Sequence, residues 1–480
     1  MNREFLINLL FLIFANVFIK AFYIFGVELQ VQNTVGPSEY GLYFALFNLS
    51  FLFQIICDWG IQQYNTRSVS FSKAFFIEHF NSLLSLKLCL SILFFLVSVL
   101  FAYIIGYKGN ALQIFSFLLL NQALISLTFY FRSIIAGLQF YRVDSLVSIS
   151  DKLLLILLCI PFIYGSGSMD ISLFVKLQTT AFSITCILCF LFVLRKYGAW
   201  PKFSFSWIDA MELLRKSTPY ALIVLLMSLY TRTDSIMLER LLGDNGPYQA
   251  GIYAAGFRLL DALTMFCFLF AGLLLPMFSK LLSGGEKINV LAGLSARIML
   301  TITIISSVNM IYFAAPIMQF LYVDFTPNMV GVLCFLLLSF NAIGMTQIFG
   351  TLLTANQSLR ILNRIFVVGF VLNVSLNLAL IDPYGASGAA FATLLTQFMV
   401  AIAILLYSKT TFDLKPPVSL ILRLIAMSLL CYYIPMVVQL GIESWFSQLI
   451  ISSFLGLGVA LILQIIDLRR IYQFIKTKDA

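Results

Sequence analysis

Five basic side chains sit inside otherwise apolar stretches of the chain: Lys20, Lys87, Arg132, Arg232 and Arg258. Acidic groups placed the same way are fewer, Asp234 and Asp261, with Glu28 and Asp58 near the ends of such stretches. An ionised group at the centre of a membrane helix costs at least about 2.5–3.5 kcal/mol, so each must find a partner, an aqueous cavity or a ligand. A cavity lined with a basic excess would hold an anion, and the planar fork of arginine matches the oxygens of a diphosphate. Uncharged polar groups form a second tier. Asn373 and Asn377 share one helix face, Thr393 and Gln397 share another, and Asn341 and Gln347 lie one stretch earlier. Such groups either bond helix to helix or meet sugar hydroxyls or a coupling cation.

Each charge has a plainer reading beside the functional one. Lys20 stands about two turns before the end of its stretch at Val27, on one face with Asn16 and Tyr23, and either faces an internal cavity or snorkels to the interface. Arg232 and Asp234 are two residues apart and point to different faces of one helix. Arg232 is therefore a candidate for substrate contact or gating, and Asp234 for a structural pair with Arg258. Arg258 and Asp261, three apart, can also pair locally. Arg132 and Lys87 lie near enough to helix ends to snorkel, and remain candidates for the cavity.

The elements that must position these groups are membrane helices. Of 480 residues, 61% are hydrophobic and 11% charged, against about 25% charged in soluble domains. Apolar runs of about 20 residues recur along the whole length, the pattern of a polytopic all-α membrane protein. Spans are predicted near 5–27, 40–62, 80–105, 111–137, 145–164, 171–194, 218–241, 250–275, 290–314, 329–354, 361–381, 387–407, 419–440 and 445–466. The first is too long for a signal-peptide core and lacks a small-residue cleavage site, so it reads as a retained helix. The longest hydrophilic stretch, Arg195 to Ser217, is too short for an independent domain, so no soluble catalytic module is expected. Cys186 and Cys189 form a C-x-x-C inside an apolar helix, which points to packing. His79 is the only histidine and has no second histidine or cysteine cluster nearby, so no metal site is expected. No Walker A sequence is present, and direct ATP use is not indicated.

Orientation follows from the basic residues. About 22 of the 30 fall in alternate connections that include both termini, and only Lys108, Lys176 and Arg240 fall in the other set. Lys152 is counted with the first set. The asymmetry predicts cytoplasmic N- and C-termini and an even number of spans. A repeat gives the internal organisation. Residues 36–49 recur as 246–259, with seven of fourteen positions identical at a constant offset of 210. Six spans separate the copies, so the halves have the same topology and are parallel repeats, with substrate expected between them near mid-membrane. Two six-helix lobes, 1–205 and 206–412, would then be followed by a terminal pair in 413–480. At offset 210 Lys20 aligns with Tyr230, two residues from Arg232. Both lobes are thus expected to bring a cation to nearly the same depth.

The sequence Gly36-Pro37-Ser38-Glu39-Tyr40-Gly41-Leu42-Tyr43, then Asp58-Trp59-Gly60, Tyr230 to Met237, and Asp382 to Thr393 resemble the polysaccharide-transporter branch of the multidrug/oligosaccharidyl-lipid/polysaccharide (MOP) exporter superfamily. The resemblance implies two six-helix lobes in a V like that of the multidrug exporters, plus two C-terminal helices. It also implies a flippase, not an enzyme, for polyprenyl-diphosphate-linked glycans such as O-antigen repeat units. The setting would be a bacterial inner membrane, with a glycan polymerase or chain-length regulator as partners and no nucleic acid. No cofactor is expected, and coupling to H⁺ or Na⁺ is expected without a located site. Two rivals are weaker. A cation-coupled multidrug exporter would favour an acidic cavity, and a glycan polymerase or ligase would carry a large outward loop with catalytic Arg, His or Asp residues.

Overall fold

The computed structural model describes residues 18–165, 168–285, 288–414 and 418–466. The start of the first predicted span and the basic C-terminal tail lie outside them. Among the described residues there are fourteen α-helices and no strand. A helical run from Phe18 passes through a π-helical stretch, Tyr23–Glu28, into α1 (Leu29–Asp58). Then follow α2 (Ile61–Phe71), α3 (Lys73–Ile104), α4 (Gly109–Gly137), α5 (Tyr141–Ile163), α6 (Ile171–Tyr197) and α7 (Trp207–Leu241). The remainder are α8 (Gly246–Ser283), α9 (Asn289–Tyr312), α10 (Ala314–Leu321), α11 (Pro327–Ala355), α12 (Leu359–Phe412), α13 (Val418–Val438) and α14 (Trp445–Ile462).

Among the described residues twelve helical runs are long and apolar enough to cross a membrane. They carry all fourteen predicted spans because two of them each hold a pair. The run Phe18–Asp58 breaks at Gly36 (φ 80°, ψ 168°), and Leu359–Phe412 breaks at Gly385 (φ 54°, ψ −134°). Only glycine enters these regions without steric cost. Pro37 and Pro383, beside the breaks, remove a helical donor and strain the preceding turn.

The chain divides into two compact units, Met1–Gly251 and Ile252–Ala480. In the first, a core of Phe76, Phe80, Tyr130, Ile134, Cys189 and Leu213 joins α3, α4, α6 and α7. Helix α7 packs on α1: Asn48 Nδ2 donates to Ser235 Oγ at 2.8 Å, and Trp59 Nε1 donates to Thr218 Oγ1 at 3.1 Å. All eight cysteines are free, and Cys186 and Cys189 are buried in the packing role expected of them. In the second unit Ile305, Met427, Cys431 and Ala460 form the core that ties α13 and α14 to α9. Exposed leucines, isoleucines and phenylalanines stud the helices, as helices solvated by lipid require.

Candidate functional site

Lys20 lies deeper than its sequence position implied. The helix does not stop near Val27 but continues to Gly36, sixteen residues beyond Lys20. At 1.5 Å per residue that is about 24 Å of axis. Snorkelling to that end is out of reach for a lysine stem.

Lys20 instead lines a cavity of about 220 Å³ with Thr128, Phe129 and Arg132 of α4, Asp151 and Lys152 of α5, and Phe182 of α6. Arg132 is held there by α5: its Nε donates to Asp144 Oδ1 at 2.7 Å and its Nη2 to Asp144 Oδ2 at 3.3 Å. Lys152 Nζ stands 3.5 Å from Asp151 Oδ2, with the rings of Tyr23 at 4.8 Å and Phe182 at 5.1 Å. Among the described residues Lys20 makes no ion pair and no hydrogen bond. Among the described residues three cations and one carboxylate line the cavity, and one of the cations is uncommitted. Such a site is disposed to accept an anion.

Lys152 is the site residue that sequence reasoning assigned elsewhere, to a connection. The predicted span 145–164 already contained it, and helix α5, which starts at Tyr141, places Lys152 three turns inside. The signal was present: Asp144, Ser148, Asp151 and Lys152 repeat at helical spacing and share one face.

Lys87 is fully buried and satisfied. Its ammonium group donates to Asp58 Oδ1 at 2.9 Å, the Cys57 carbonyl at 2.9 Å and Ser126 Oγ at 2.6 Å. Three donors meet three acceptors, which makes it a fastener of α1, α3 and α4. Asp58 keeps partial exposure and lines a second cavity with Phe51, Gln54, Gln62, Ser126 and Phe129. Arg232 stands over the Phe51 ring at 5.3 Å and is not among the residues around Lys20. Asp234 is fully buried, and Tyr230, the repeat equivalent of Lys20, is also buried.

The other candidates belong to the second unit. Arg258 and Asp261 form the local pair, 3.9 Å apart. Asn377 Nδ2 donates to Asn373 Oδ1 at 3.1 Å, Tyr253 and Thr393 share a hydroxyl bond of 3.2 Å, and Gln397 is buried.

The family described as polysaccharide biosynthesis protein matches residues 6–282, more than half of the chain. The chain belongs to that family. An uncharacterized membrane protein from Methanocaldococcus jannaschii is 29% identical over 198 residues, 40% of this chain. The chain spans 44% of that relative's length. Among solved structures, the lipid II flippase MurJ in an inward closed conformation superposes with a TM-score of 0.68 at 18% identity, covering 96% of this chain and 98% of that one. An inward-facing multidrug resistance MATE transporter of the MOP superfamily gives 0.61 at 17% identity, covering 81% and 94%. A MOP superfamily transporter from Pyrococcus furiosus, described as having a binding pocket of reversed polarity, gives 0.57 at 16% identity, covering 85% and 95%. This member of the polysaccharide biosynthesis family therefore has the fold of MurJ and of the MATE transporters, as its motifs implied.

Proposed function

We propose that the protein is a flippase carrying polyprenyl-diphosphate-linked oligosaccharide from the cytoplasmic to the outer leaflet of a bacterial inner membrane by alternating access. One observation carries the reading: Lys20, within a span and without a protein partner among the described residues, lines a cavity beside Arg132 and Lys152. A lone ammonium group at that depth is costly unless it serves a ligand. Two phosphates supply the missing charge and the acceptor oxygens. The glycan occupies the aqueous cavity, and the polyprenyl chain stays in lipid.

The family's role in polysaccharide biosynthesis and the MurJ-like fold support a lipid-linked glycan as cargo. The basic excess in the cavity opposes a cationic drug. O-antigen repeat units fit the reading, as would other surface polysaccharides built on the same carrier. Rocking of the two repeat-defined lobes, 1–205 and 206–412, exposes the load, with H⁺ or Na⁺ coupling as the driving gradient. Cytoplasmic termini follow from the basic connections.

The deciding experiment uses proteoliposomes loaded with a fluorescent polyprenyl-diphosphate glycan, with transfer read by quenching from one side. Lys20→Ala lowers the transfer rate at least about tenfold, while Lys20→Arg retains most of it. Unchanged transfer in Lys20→Ala removes the cationic-cavity mechanism.

A further inference from the structure

The second cavity, of about 160 Å³, has a chemistry unlike the first. Among the described residues no cation lines it. Its lining includes Phe51 and Phe129, Gln54 and Gln62, and Asp58, set among aliphatic side chains of α1 and α7. Among the described residues neither glutamine amide has a hydrogen-bond partner, and Asp58 is bonded only through Oδ1, to Lys87. Among the described residues these groups, which line the cavity, therefore have donors and acceptors unused. One face of each ring is already covered: the Arg232 guanidinium lies over the Phe51 ring, 5.3 Å from its centroid, and that of Arg132 over the Phe129 ring at 5.8 Å.

Flat rings beside planar hydrogen-bonding groups suit a sugar ring. Its C–H face packs on an aromatic surface, and its hydroxyls, which both donate and accept, satisfy amides and a carboxylate. Phe129 lines this cavity and the cationic one alike, so the two are neighbours separated by a single ring. The order matches the covalent order of the cargo, in which the first sugar is joined directly to the diphosphate.

We infer that the cavity of Phe51, Gln54, Asp58, Gln62 and Phe129 is a subsite for the first sugar of the lipid-linked glycan, a neutral or N-acetylated hexose. The inference rests on the flippase reading. Lys87 has a specific part in it: by fixing Oδ1 of Asp58 it keeps the carboxylate aimed, leaving one oxygen for a hydroxyl. A uronic acid at this position would place its own carboxylate against that of Asp58 and is disfavoured.

Binding to the purified full chain in nanodiscs tests this with three probes: farnesyl diphosphate, farnesyl-diphospho-N-acetylglucosamine and farnesyl-diphospho-glucuronate. The wild type binds the N-acetylglucosamine probe roughly tenfold more tightly than farnesyl diphosphate, and the glucuronate probe no more tightly than farnesyl diphosphate. The double variant Gln54→Ala/Gln62→Ala loses the tenfold increment and keeps its affinity for farnesyl diphosphate, which also shows that it is folded. Lys20→Ala weakens all three probes alike. Equal binding of the first two probes by the wild type, or an increment that survives the double substitution, overturns the subsite and leaves the diphosphate site standing. Failure of the wild type to bind any probe overturns both.

Discussion

Gly41 and Gly251, equivalent residues of the two repeat copies, each sit against the backbone of the other copy. A methyl group on Gly41 would overlap the carbonyl oxygen of Pro247, and one on Gly251 would overlap that of Pro37. Gln32 adds a bond from Nε2 to the Gly251 carbonyl at 3.4 Å. The relation is reciprocal, as a pseudo-two-fold repeat requires, and it depends on the absence of a side chain at both positions. Gly41→Ala or Gly251→Ala should each lower stability by about 1–3 kcal/mol through overpacking. The double variant should cost less than the sum, because the first methyl already separates the helices. Thermal unfolding in detergent reads this, and strict additivity would show that the two glycines act independently.

The Lys87–Asp58 pair invites a test of what a buried lysine contributes. Removing one partner strands a charge, so Lys87→Met or Asp58→Asn alone should cost about 3–5 kcal/mol. The combined Lys87→Met/Asp58→Asn protein should recover much of that loss, since no charge is left to bury. Unfolding midpoints of the three variants decide the matter. If the double variant is as unstable as the worse single one, packing rather than charge accounts for the site.

Among the described residues Asp151 is the one carboxylate lining the cationic cavity, and it stands against Lys152. Asp151→Asn raises the local positive charge and should tighten farnesyl diphosphate binding several-fold at low salt, whereas Lys152→Ala should weaken it by a similar factor. Both effects should shrink as ionic strength rises and the Debye length shortens to about 8 Å. Weaker binding in Asp151→Asn would mean that the carboxylate orients Lys152 and does not merely offset it.

The repeat and the fourteen spans were legible in the sequence, because apolar length and glycine–proline punctuation are local properties. What was not legible depended on which helices meet. Lys152 was counted with residues that set topology, although its helical spacing from Asp144 and Ser148 marks a polar face. The role of Lys87 turns on Asp58 and Ser126, 29 and 39 residues away in the chain, and no spacing rule connects them. The depth of Lys20 was misread because the turns between Val27 and Gly36, rich in Gln and Asn, resemble a loop in composition yet remain helical. Burial of Gln32 shows why they do: their polar groups face protein.

Tyr107, in the connection between α3 and α4, closes on the end of α7. Its hydroxyl donates to Glu239 Oε2 at 2.6 Å, Arg240 Nε reaches the same oxygen at 3.0 Å, and the Arg240 guanidinium lies 3.4 Å from the Tyr107 ring centroid. Burial, and after it the Glu239 carboxylate, pushes the Tyr107 hydroxyl above its ordinary value, because ionisation would set a phenolate against a carboxylate. A group whose folded pKa exceeds its unfolded value of about 10 stabilises fully below that pH and loses its contribution as pH rises further. Tyr107→Phe should therefore melt lower than the wild type by an amount equivalent to about 1–3 kcal/mol at pH 7. That gap should hold steady to about pH 9 and close at more alkaline pH as Tyr107 of the unfolded wild type begins to ionise while the folded one still holds its proton. Unfolding temperatures of both proteins in detergent across this range test the sign. A gap that widens above pH 10 would show that the phenolate is welcome beside Arg240, and that the arginine, not the carboxylate, governs the clasp.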